Sequence, residues 1–433
     1  MRLTLFRMDV PRGAMTVLHV YAYFRPDYTG DGIYFERLIH HLWNGAMGHE
    51  VLATRTRRDG GSAGEASVPV TLADLPVHYL GGTPGRTGLF GLLWWLLRHG
   101  RRYRVVHLHA HVDRTFLSYL LMRLLGCRIV LSSTLDDGPV DIVASYRRHK
   151  RPLVRGLLHL IDAFVAISPK LHHENRPVVP GARLRLIPQG VEPHHPRLDR
   201  GAVRRLMGID DGAFVLLALT SFIPRKDPLF LVECMPRLIA AVPGCMLVLV
   251  GPILAPDYAE AVRARVRLLG LERHVLLRGF DPEPDLLYEM SDVFVSASRD
   301  EGFGNTLLEA MAAGRPVVAR HLPGVNDYFI EHAASGFLIH DADAYVETVV
   351  RLARDPELRR RVGQTARARA DERFAMARIA ARYRELYERV GLPAASAGAL
   401  RPANPDSADG PSGLSGLPGN LPSASLPGRN AGP

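Results

Sequence analysis

Two glutamates flank a glycine-rich turn in the stretch EGFGNTLLEAMAAGRPVVA, which begins at residue 301. Glu301 lies directly before Gly302 and Gly304, and Glu309 lies in the segment that follows, which has the pattern of a short helix. Glycines let a ligand approach the backbone closely, and the free amides at a helix N-terminus bind anions. Carboxylates accept hydrogen bonds from sugar hydroxyls. Together these residues indicate a pocket for a sugar joined to a nucleoside diphosphate.

The same residues have a simpler structural interpretation. Thr306 precedes Glu309 by three positions, which predicts a capping box in which Glu309 caps its own helix, with Gly314 and Pro316 ending that helix. Glu301 would then be an exposed loop acid near a positive helix terminus. These residues alone do not decide between a ligand site and a helix cap.

The elements that position this turn form two series of short apolar runs alternating with helical patterns. The runs are apolar throughout, as expected for parallel strands covered on both faces, so each series predicts an α/β doubly wound sheet. A segment rich in Pro, Gly and charge, 187–200, separates the series and is a candidate hinge. The predicted strands are 16–24, 49–55, 104–110, 128–133 and 163–168, followed by 214–221, 245–251, 274–280, 293–298 and 316–320.

This organisation predicts two Rossmann-like domains that face each other across a cleft. The C-terminal segment has few charges and no aromatic residue, and its richness in Pro, Gly, Ser and Ala predicts disorder. The predicted segments are an N-terminal extension (1–14), a first domain (15–195), a second domain (196–375), a helix packing back on the first domain (376–392) and a disordered tail (393–433).

The composition narrows the partners and the location. A net charge of +10 over 433 residues predicts an anionic partner, but the basic residues are dispersed and no nucleic-acid-binding motif occurs, which disfavours nucleic acid. The apolar runs are too short to span a bilayer. The scattered cysteines Cys127, Cys234 and Cys245 form no metal or disulfide pattern, which predicts a cytoplasmic protein.

One apolar segment could contact a membrane surface. RTGLFGLLWWLLRHGRRYR, residues 86–104, joins an aromatic helix to several arginines, and a second basic cluster follows at 146–151. Such a segment could lie on an anionic membrane and present a lipid-linked acceptor. The favoured alternative is that its apolar side chains pack into the core of the first domain.

Three histidines alternate along one predicted strand. His107, His109 and His111 would share one face if the strand continued through all three. A metal site is disfavoured because no carboxylate or cysteine cluster accompanies them.

The order of several sequence blocks resembles the retaining family 4 glycosyltransferases of the GT-B fold. The resemblance covers most of the chain and rests on the E-x7-E pattern together with GDGIYFERLIHHL, VVHLHAH, DAFVAISPKL, IPQGVE, LVLVGP and VLLRGF. It implies that the second domain binds a UDP or GDP sugar and that the first binds a hydroxyl acceptor, a glycan or lipid-linked glycan of polysaccharide or cell-envelope biosynthesis. It also implies that leaving-phosphate oxygen acts as the base, with no metal or other cofactor.

The resemblance assigns roles to particular residues. Glu309 would accept from ribose hydroxyls, Glu301 would bind the donor sugar, and Lys226 would neutralise the diphosphate. His109 would be the cleft histidine, so the implied catalytic residues are Glu301, Lys226 and His109. The other residues implied at the donor are Gly30, Gly32, Arg225, Phe280, Gly302, Phe303, Gly304, Asn305 and Thr306.

Two positions depart from the family pattern. Ser221 and Phe222 replace the usual Gly-Arg before the lysine, and Arg225 could take the role of that arginine or be an exposed loop cation. Leu135 stands where many relatives have a histidine, so its role would be lost or taken by a neighbouring aspartate, Asp136 or Asp137, or by His109. Two other functions therefore stay open: a nucleotide-sugar epimerase or hydrolase on the same fold, and a non-catalytic GT-B binding module.

Overall fold

The structure is a computed structural model that describes residues 15–22, 24, 30–43, 47–54, 75–80, 86–133, 135, 138–281 and 284–392. The predicted N-terminal extension and the predicted disordered tail lie outside these residues, as do Thr134, Asp136 and Asp137.

A parallel sheet of seven strands forms in the first half of the chain, in the order β3-β2-β1-β4-β5-β6-β7. Its strands are β1 Met15–Tyr21, β2 Met47–Ala53, β3 Val77–Tyr79, β4 Val105–Leu108, β5 Arg128–Ser133, β6 Ala163–Ala166 and β7 Leu184–Leu186. Its helices are α1 Gly30–Leu42, α2 Arg86–His99, α3 Leu117–Leu124, α4 Pro139–Ala144, α5 Arg151–Leu157 and α6 Pro169–Asn175.

A second parallel sheet of six strands follows in the order β10-β9-β8-β11-β12-β13. Its strands are β8 Phe214–Leu219, β9 Cys245–Val250, β10 Val275–Arg278, β11 Val293–Ser296, β12 Val317–Arg320 and β13 Phe337–Ile339. Its helices are α7 Arg200–Met207, α8 Pro228–Ala241, α9 Pro256–Leu268, α10 Pro284–Met290, α11 Asn305–Ala312, α12 Asn326–Phe329, α13 Ala342–Arg354 and α14 Pro356–Phe374, and α15 Met376–Gly391 follows. The predicted fold class, two doubly wound parallel α/β sheets, is confirmed.

All ten predicted strands are present, but three observed strands were not predicted. These are β3, β7 and β13, which have three residues each and lie at sheet edges. A run of three residues is too short to show apolar periodicity, and β3 and β7 each carry a polar residue, His78 or Arg185, at the centre.

Helices cover both faces of the first sheet. On one face, α2, α3 and α5 pack over Leu18 and Val20 of β1, while α1 and α15 cover the other face with Val17 and Tyr21. In segment 86–104, Leu92 and Leu96 pack into the core, as predicted. Phe90, Trp94 and Leu97 on the same helix are exposed.

The chain crosses between the two sheets twice, and the two crossings run side by side. In the predicted hinge segment, the amide of Val191 donates to Phe374 O at 2.8 Å, and Met376 N donates to Val191 O at 2.9 Å. A Cβ on Gly190 would lie 3.0 Å from the Cα of Met376, closer than most such contacts, so glycine favours this close approach. The return crossing leads directly into α15 and so returns the chain to the first sheet.

Candidate active site

The carboxyl ends of strands from the two sheets lie against each other. A Cβ added to Gly302, after β11, would lie 3.5 Å from the backbone nitrogen of Leu135, after β5. Lys170 at the start of α6 forms an ion pair with Asp300, and its amide donates to Gly324 O at 3.0 Å. Ligands of open α/β sheets bind outside the carboxyl ends of the strands, so this junction is the candidate site.

The helix α11 begins with backbone groups that point to an anion site. Gly304 precedes the helix with a φ of +113°, which residues with a side chain rarely adopt. As a glycine it has no side chain that could cap the helix. The amides of Asn305 and Thr306 make no hydrogen bond to any residue that the structure describes. Asn305 Oδ1 is buried, again without a partner. Free amides at a helix start are the groups that the predicted anion-binding turn requires.

The predicted capping box is wrong. Thr306 lies inside α11, and its carbonyl accepts a hydrogen bond from Tyr288 Oη at 3.1 Å. Glu309 does not turn back to the helix start. Its Oε1 accepts from Arg37 Nη1 at 2.8 Å, and its Oε2 accepts from Tyr288 Oη at 2.9 Å. Burial raises the pKa of Glu309, and the neighbouring Arg37 opposes that rise.

Glu301 is held by cations from one short segment. Its side chain, only 12 % exposed, forms ion pairs with Lys226 and with Arg225, the latter over 3.5 Å. Arg225 also donates to Asp300 O at 2.8 Å. The structure therefore places Glu301, Lys226 and Arg225 together beside the anion-binding turn. Arg225 lies beside Glu301 and is available as a second cation for a phosphate. Phe222, at the position of the usual arginine, is buried in the core of the second sheet.

The structure gives the following surroundings for the other residues predicted at the donor site. Phe303 is buried and packs on Phe329, so its side chain belongs to the core and only its backbone borders the turn. Phe280 is exposed just beyond β10. Gly30 and Gly32 were predicted in a loop, but they form the first turn of α1.

Sequence analysis did not identify Arg37 or Tyr288 as site residues. Arg37 lies 272 residues from Glu309, and Tyr288 is on α10. Arg37 is in the block FERLIHHL, where helical periodicity places it on the face opposite to the buried Leu42, but periodicity alone does not show what a polar residue faces.

The three alternating histidines separate because β4 ends at Leu108. His107 is buried, and its ring nitrogens lie 2.7 Å from Tyr387 Oη and 2.7 Å from Ser132 Oγ. His111 turns to the opposite helical layer, where Nδ1 lies 2.8 Å from Tyr119 Oη on α3. The expectation of one shared face is therefore wrong for His111.

His109 borders a pocket between the first sheet and the helices α1 and α15. The pocket has a cavity volume of about 30 Å³ and is partly open to solvent. It is lined by aromatic, aliphatic and small polar side chains: Tyr21, Tyr34, Phe35, Leu38, His109, Ser132, Ile167, Gln189 and Tyr383. A volume of this size has room for a water molecule or a single polar group of a ligand, such as a hydroxyl.

Comparison with known proteins agrees with this arrangement. Residues 199–369 match the family of glycosyl transferases group 1. The chain is 25 % identical over 287 residues to N-acetyl-alpha-D-glucosaminyl L-malate synthase of Bacillus anthracis, a match that covers 65 % of this chain and 74 % of that protein. It is also 25 % identical to the UDP-Gal:alpha-D-GlcNAc-diphosphoundecaprenol alpha-1,3-galactosyltransferase of Escherichia coli, over 59 % of this chain and 68 % of that protein.

Among solved structures, Anabaena HepE in complex with UDP and glucose superimposes with a TM-score of 0.71 at 19 % identity, covering 86 % of this chain and 99 % of that one. The fold is therefore GT-B, the class of two-sheet glycosyltransferases. Residues 199–369 match the model of the glycosyl transferases group 1 family, and the named relatives are glycosyltransferases, in agreement with the resemblance and with the predicted enzyme class.

Proposed function

We propose that this protein is a retaining glycosyltransferase that moves a sugar from a UDP or GDP sugar to a hydroxyl group of a glycan or lipid-linked glycan. The observation that carries the proposal is the anion-binding turn at α11, with free amides at Asn305 and Thr306 and a carboxylate on each side. The diphosphate would lie at these amides. Lys226 and Arg225 would neutralise the charge that develops on the leaving phosphate.

In the proposed reaction, the acceptor oxygen forms a bond to the anomeric carbon while the bond to the diphosphate breaks. The acceptor proton passes to the departing phosphate oxygen on the same face, so the configuration at the anomeric carbon is retained. The protein contributes position and electrostatic stabilisation, and we propose that it needs no metal ion. His109 would contact the reacting sugar from the opposite side of the cleft, where it borders the pocket.

The first test is calorimetric binding of UDP, GDP, ADP and dTDP to the wild type and to Glu309→Ala. We expect one nucleotide to bind selectively and Glu309→Ala to weaken it by about tenfold to hundredfold, because a hydrogen bond to a charged group contributes about 1.5–3 kcal/mol. The matched control is Glu347→Ala, an exposed acid on α13, which should bind like the wild type. If no nucleotide binds to the folded wild type, a non-catalytic module becomes the better explanation.

Transfer is distinguished from hydrolysis or epimerisation by its dependence on an acceptor. With the selected sugar nucleotide, we expect release of the nucleoside diphosphate to rise when a polysaccharide or lipid-linked glycan is added. Proton NMR of the product should show the donor's anomeric configuration. Sugar release or inversion at a ring carbon that is independent of any acceptor would contradict the proposal.

We further propose that the protein acts at the cytoplasmic face of a membrane, which it contacts through residues 86–104 and 146–151. On α2, Phe90, Trp94 and Leu97 are 69 %, 64 % and 58 % exposed. Leu124 on the adjacent helix α3 is 76 % exposed. Exposed cations lie at the end of α2 and directly after it, at Arg98, Arg101 and Arg102, and a second exposed basic cluster contains Arg147, Arg148 and Lys150. Exposed apolar side chains next to cations suit an anionic lipid surface. In the described part of the chain, no helix has both the length and the apolar composition needed to cross a bilayer.

Co-sedimentation with vesicles tests this contact. We expect the wild type to bind vesicles that contain anionic phospholipid more than purely zwitterionic ones, and the double variant Trp94→Ser/Leu97→Ser to lose most of this binding. The control is Leu268→Ser on α9, which changes a side chain that is 74 % exposed in the second half of the chain. Equal sedimentation of the double variant and the wild type would contradict the membrane proposal.

A further inference from the structure

A chain of three histidines leads from the pocket into the first sheet. His109 Nε2 lies 3.1 Å from His19 Nδ1, and His19 Nε2 lies 3.0 Å from His49 Nδ1. His19 on β1 and His49 on β2 are buried, whereas His109 borders the pocket. The three side chains share the sheet face that α1 and α15 cover, because their strands run parallel and in register.

The two ends of this chain are different. At the pocket end, His109 Nδ1 makes no hydrogen bond within the part of the protein that the structure describes. At the inner end, His49 Nε2 is buried without a partner. Both nitrogens of His19 make hydrogen bonds to neighbouring histidines. The nitrogen that carries the proton on one ring therefore decides which nitrogen carries it on the next.

A neutral imidazole carries its proton on one nitrogen, so the chain has two possible arrangements. In one, His49 donates to His19 and His19 donates to His109, which leaves an Nδ1–H on His109 and only a lone pair at the buried Nε2 of His49. In the other, all donors point inward and leave a buried N–H on His49 without an acceptor. A buried N–H without an acceptor is rarer in proteins than an unpaired acceptor, so the first arrangement is favoured.

The rings of this chain are neutral. Burial and then the positive charge of Arg384 lower the pKa of His49 to about 3. Burial, and then neighbouring histidines, hold the pKa of His19 and His109 well below 6.5, which keeps these rings neutral.

We propose that His19 and His49 are positioning residues that hold His109 in the Nδ1–H form, so that His109 donates a hydrogen bond to a ligand oxygen in the pocket. That this oxygen belongs to a sugar or phosphate rests on the proposed function, whereas the proton arrangement does not. The ring of His109 also stacks on Tyr21, with centroids 4.0 Å apart and planes at 12°, which restricts its rotation. The donor at the pocket is thus set by residues that do not themselves border it.

Long-range proton–nitrogen correlation spectra of the full chain, labelled with nitrogen-15 in histidine and free of ligand, test the proposal. Signals of His109 are assigned by their loss in His109→Gln. We expect Nδ1 of His109 to be the protonated nitrogen by about tenfold or more over Nε2. His49→Leu removes the donor to His19 and should shift His109 to a mixture of both forms. His49→Asn keeps an N–H near the position of Nδ1 and should retain the wild-type spectrum.

A wild-type His109 protonated on Nε2 would overturn the proposal, as would a spectrum of folded His49→Leu that matches the wild type. These readouts need no substrate, so they remain interpretable even if no sugar nucleotide binds.

The same cluster also defines the alternative outcome. Nitrogens of His19, His107 and His109 lie within 4.8 Å of one another, a spacing that could hold a metal ion. Both nitrogens of His107 already contact hydroxyl groups, and those of His19 contact histidines. Titration with Co²⁺ should therefore produce no ligand-field absorption band. A band that saturates at one equivalent and is lost in His19→Phe would mean that the histidines form a metal site, and the positioning proposal would fail.

Discussion

Arg37 on α1 and Glu309 on α11 join the two halves of the protein through an ion pair, with Nη1 and Oε1 2.8 Å apart. Both side chains are partly exposed, at 30 % and 21 %. In the proposed function, Glu309 accepts hydrogen bonds from the ribose. In that function the nucleotide would need the carboxylate oxygen that accepts from Arg37, so the ion pair would compete with nucleotide binding.

Replacement of Arg37 should change stability and nucleotide affinity in opposite directions. Arg37→Ala should lower the free energy of unfolding by about 1 kcal/mol, since the pair is only partly buried. The same change should strengthen binding of the selected nucleotide by a few fold, because an interaction present only in the free protein opposes binding. Denaturant unfolding and calorimetry measure the two effects, with Arg37→Lys as the charge-conserving control. Weaker binding by Arg37→Ala would show instead that Arg37 contacts the nucleotide.

Two glycines of the turn should respond differently to alanine. At Gly304 the φ of +113° and a contact of 3.3 Å to Phe329 make a Cβ unfavourable, so Gly304→Ala should cost about 1–3 kcal/mol of stability. Gly302→Ala meets only ordinary contacts at 3.5 Å or more and should unfold like the wild type. Its methyl group would face the cleft beside Leu135, so nucleotide binding should weaken. Equal unfolding midpoints for both variants would contradict this prediction.

Lys226 should matter more for turnover than for folding. Its ammonium group pairs with Glu301 at the site and is about one-quarter exposed. Lys226→Met should lower the rate of transfer by about 100-fold or more, because charge on the leaving diphosphate would lack its main cation. Lys226→Arg should recover part of this loss. Initial rates with the selected donor provide the measurement, and a wild-type rate for folded Lys226→Met would exclude the assigned role.

The buried histidines predict acid sensitivity. Burial lowers the pKa of His107 from 6.5 to about 3, and the pKa of His49 is also lowered to about 3. Between pH 6.5 and pH 3 the unfolded chain binds protons at these histidines, whereas the folded chain does not. The contribution of the neutral histidines to the stability is therefore complete above pH 6.5 and is lost as the pH falls toward 3. At pH 5 each histidine should lower the free energy of unfolding by about 2 kcal/mol relative to pH 7.

Denaturant unfolding of the wild type and of His107→Gln at pH 5, 6 and 7 measures this effect. Glutamine can still bond to Tyr387 or Ser132 but does not titrate. The free energy of unfolding of the variant should therefore change less with pH, by the contribution of one histidine. Identical pH dependence in the two proteins would show that His107 is not kept neutral by the fold.

Local sequence patterns were sufficient for the ten predicted strands, of which all but the edge strand β10 lie between two neighbours. The apolar runs of these inner strands come from burial on both faces. Local patterns were also sufficient for the turn, since Gly302 and Gly304 have few structural uses other than a close approach or an unusual φ. The cations Arg225 and Lys226 pair with Glu301, although Lys226 lies 75 residues away from it in the chain. The sequence assigned these three residues to one site through the resemblance and not through local physics.

The sequence by itself determined the two parallel sheets, the glycine turn before α11 and the residue types beside that turn, because these depend on periodicity and on backbone conformation over a few residues. The tertiary structure alone decided the partners of the titratable side chains. Glu309 caps no helix because its carboxylate accepts hydrogen bonds from Arg37 and Tyr288. His111 lies on the other side of the sheet from His107 because β4 ends at Leu108. A polar side chain takes the partner that packing brings within hydrogen-bond distance, and residues far apart in the chain meet only when the two sheets have assembled.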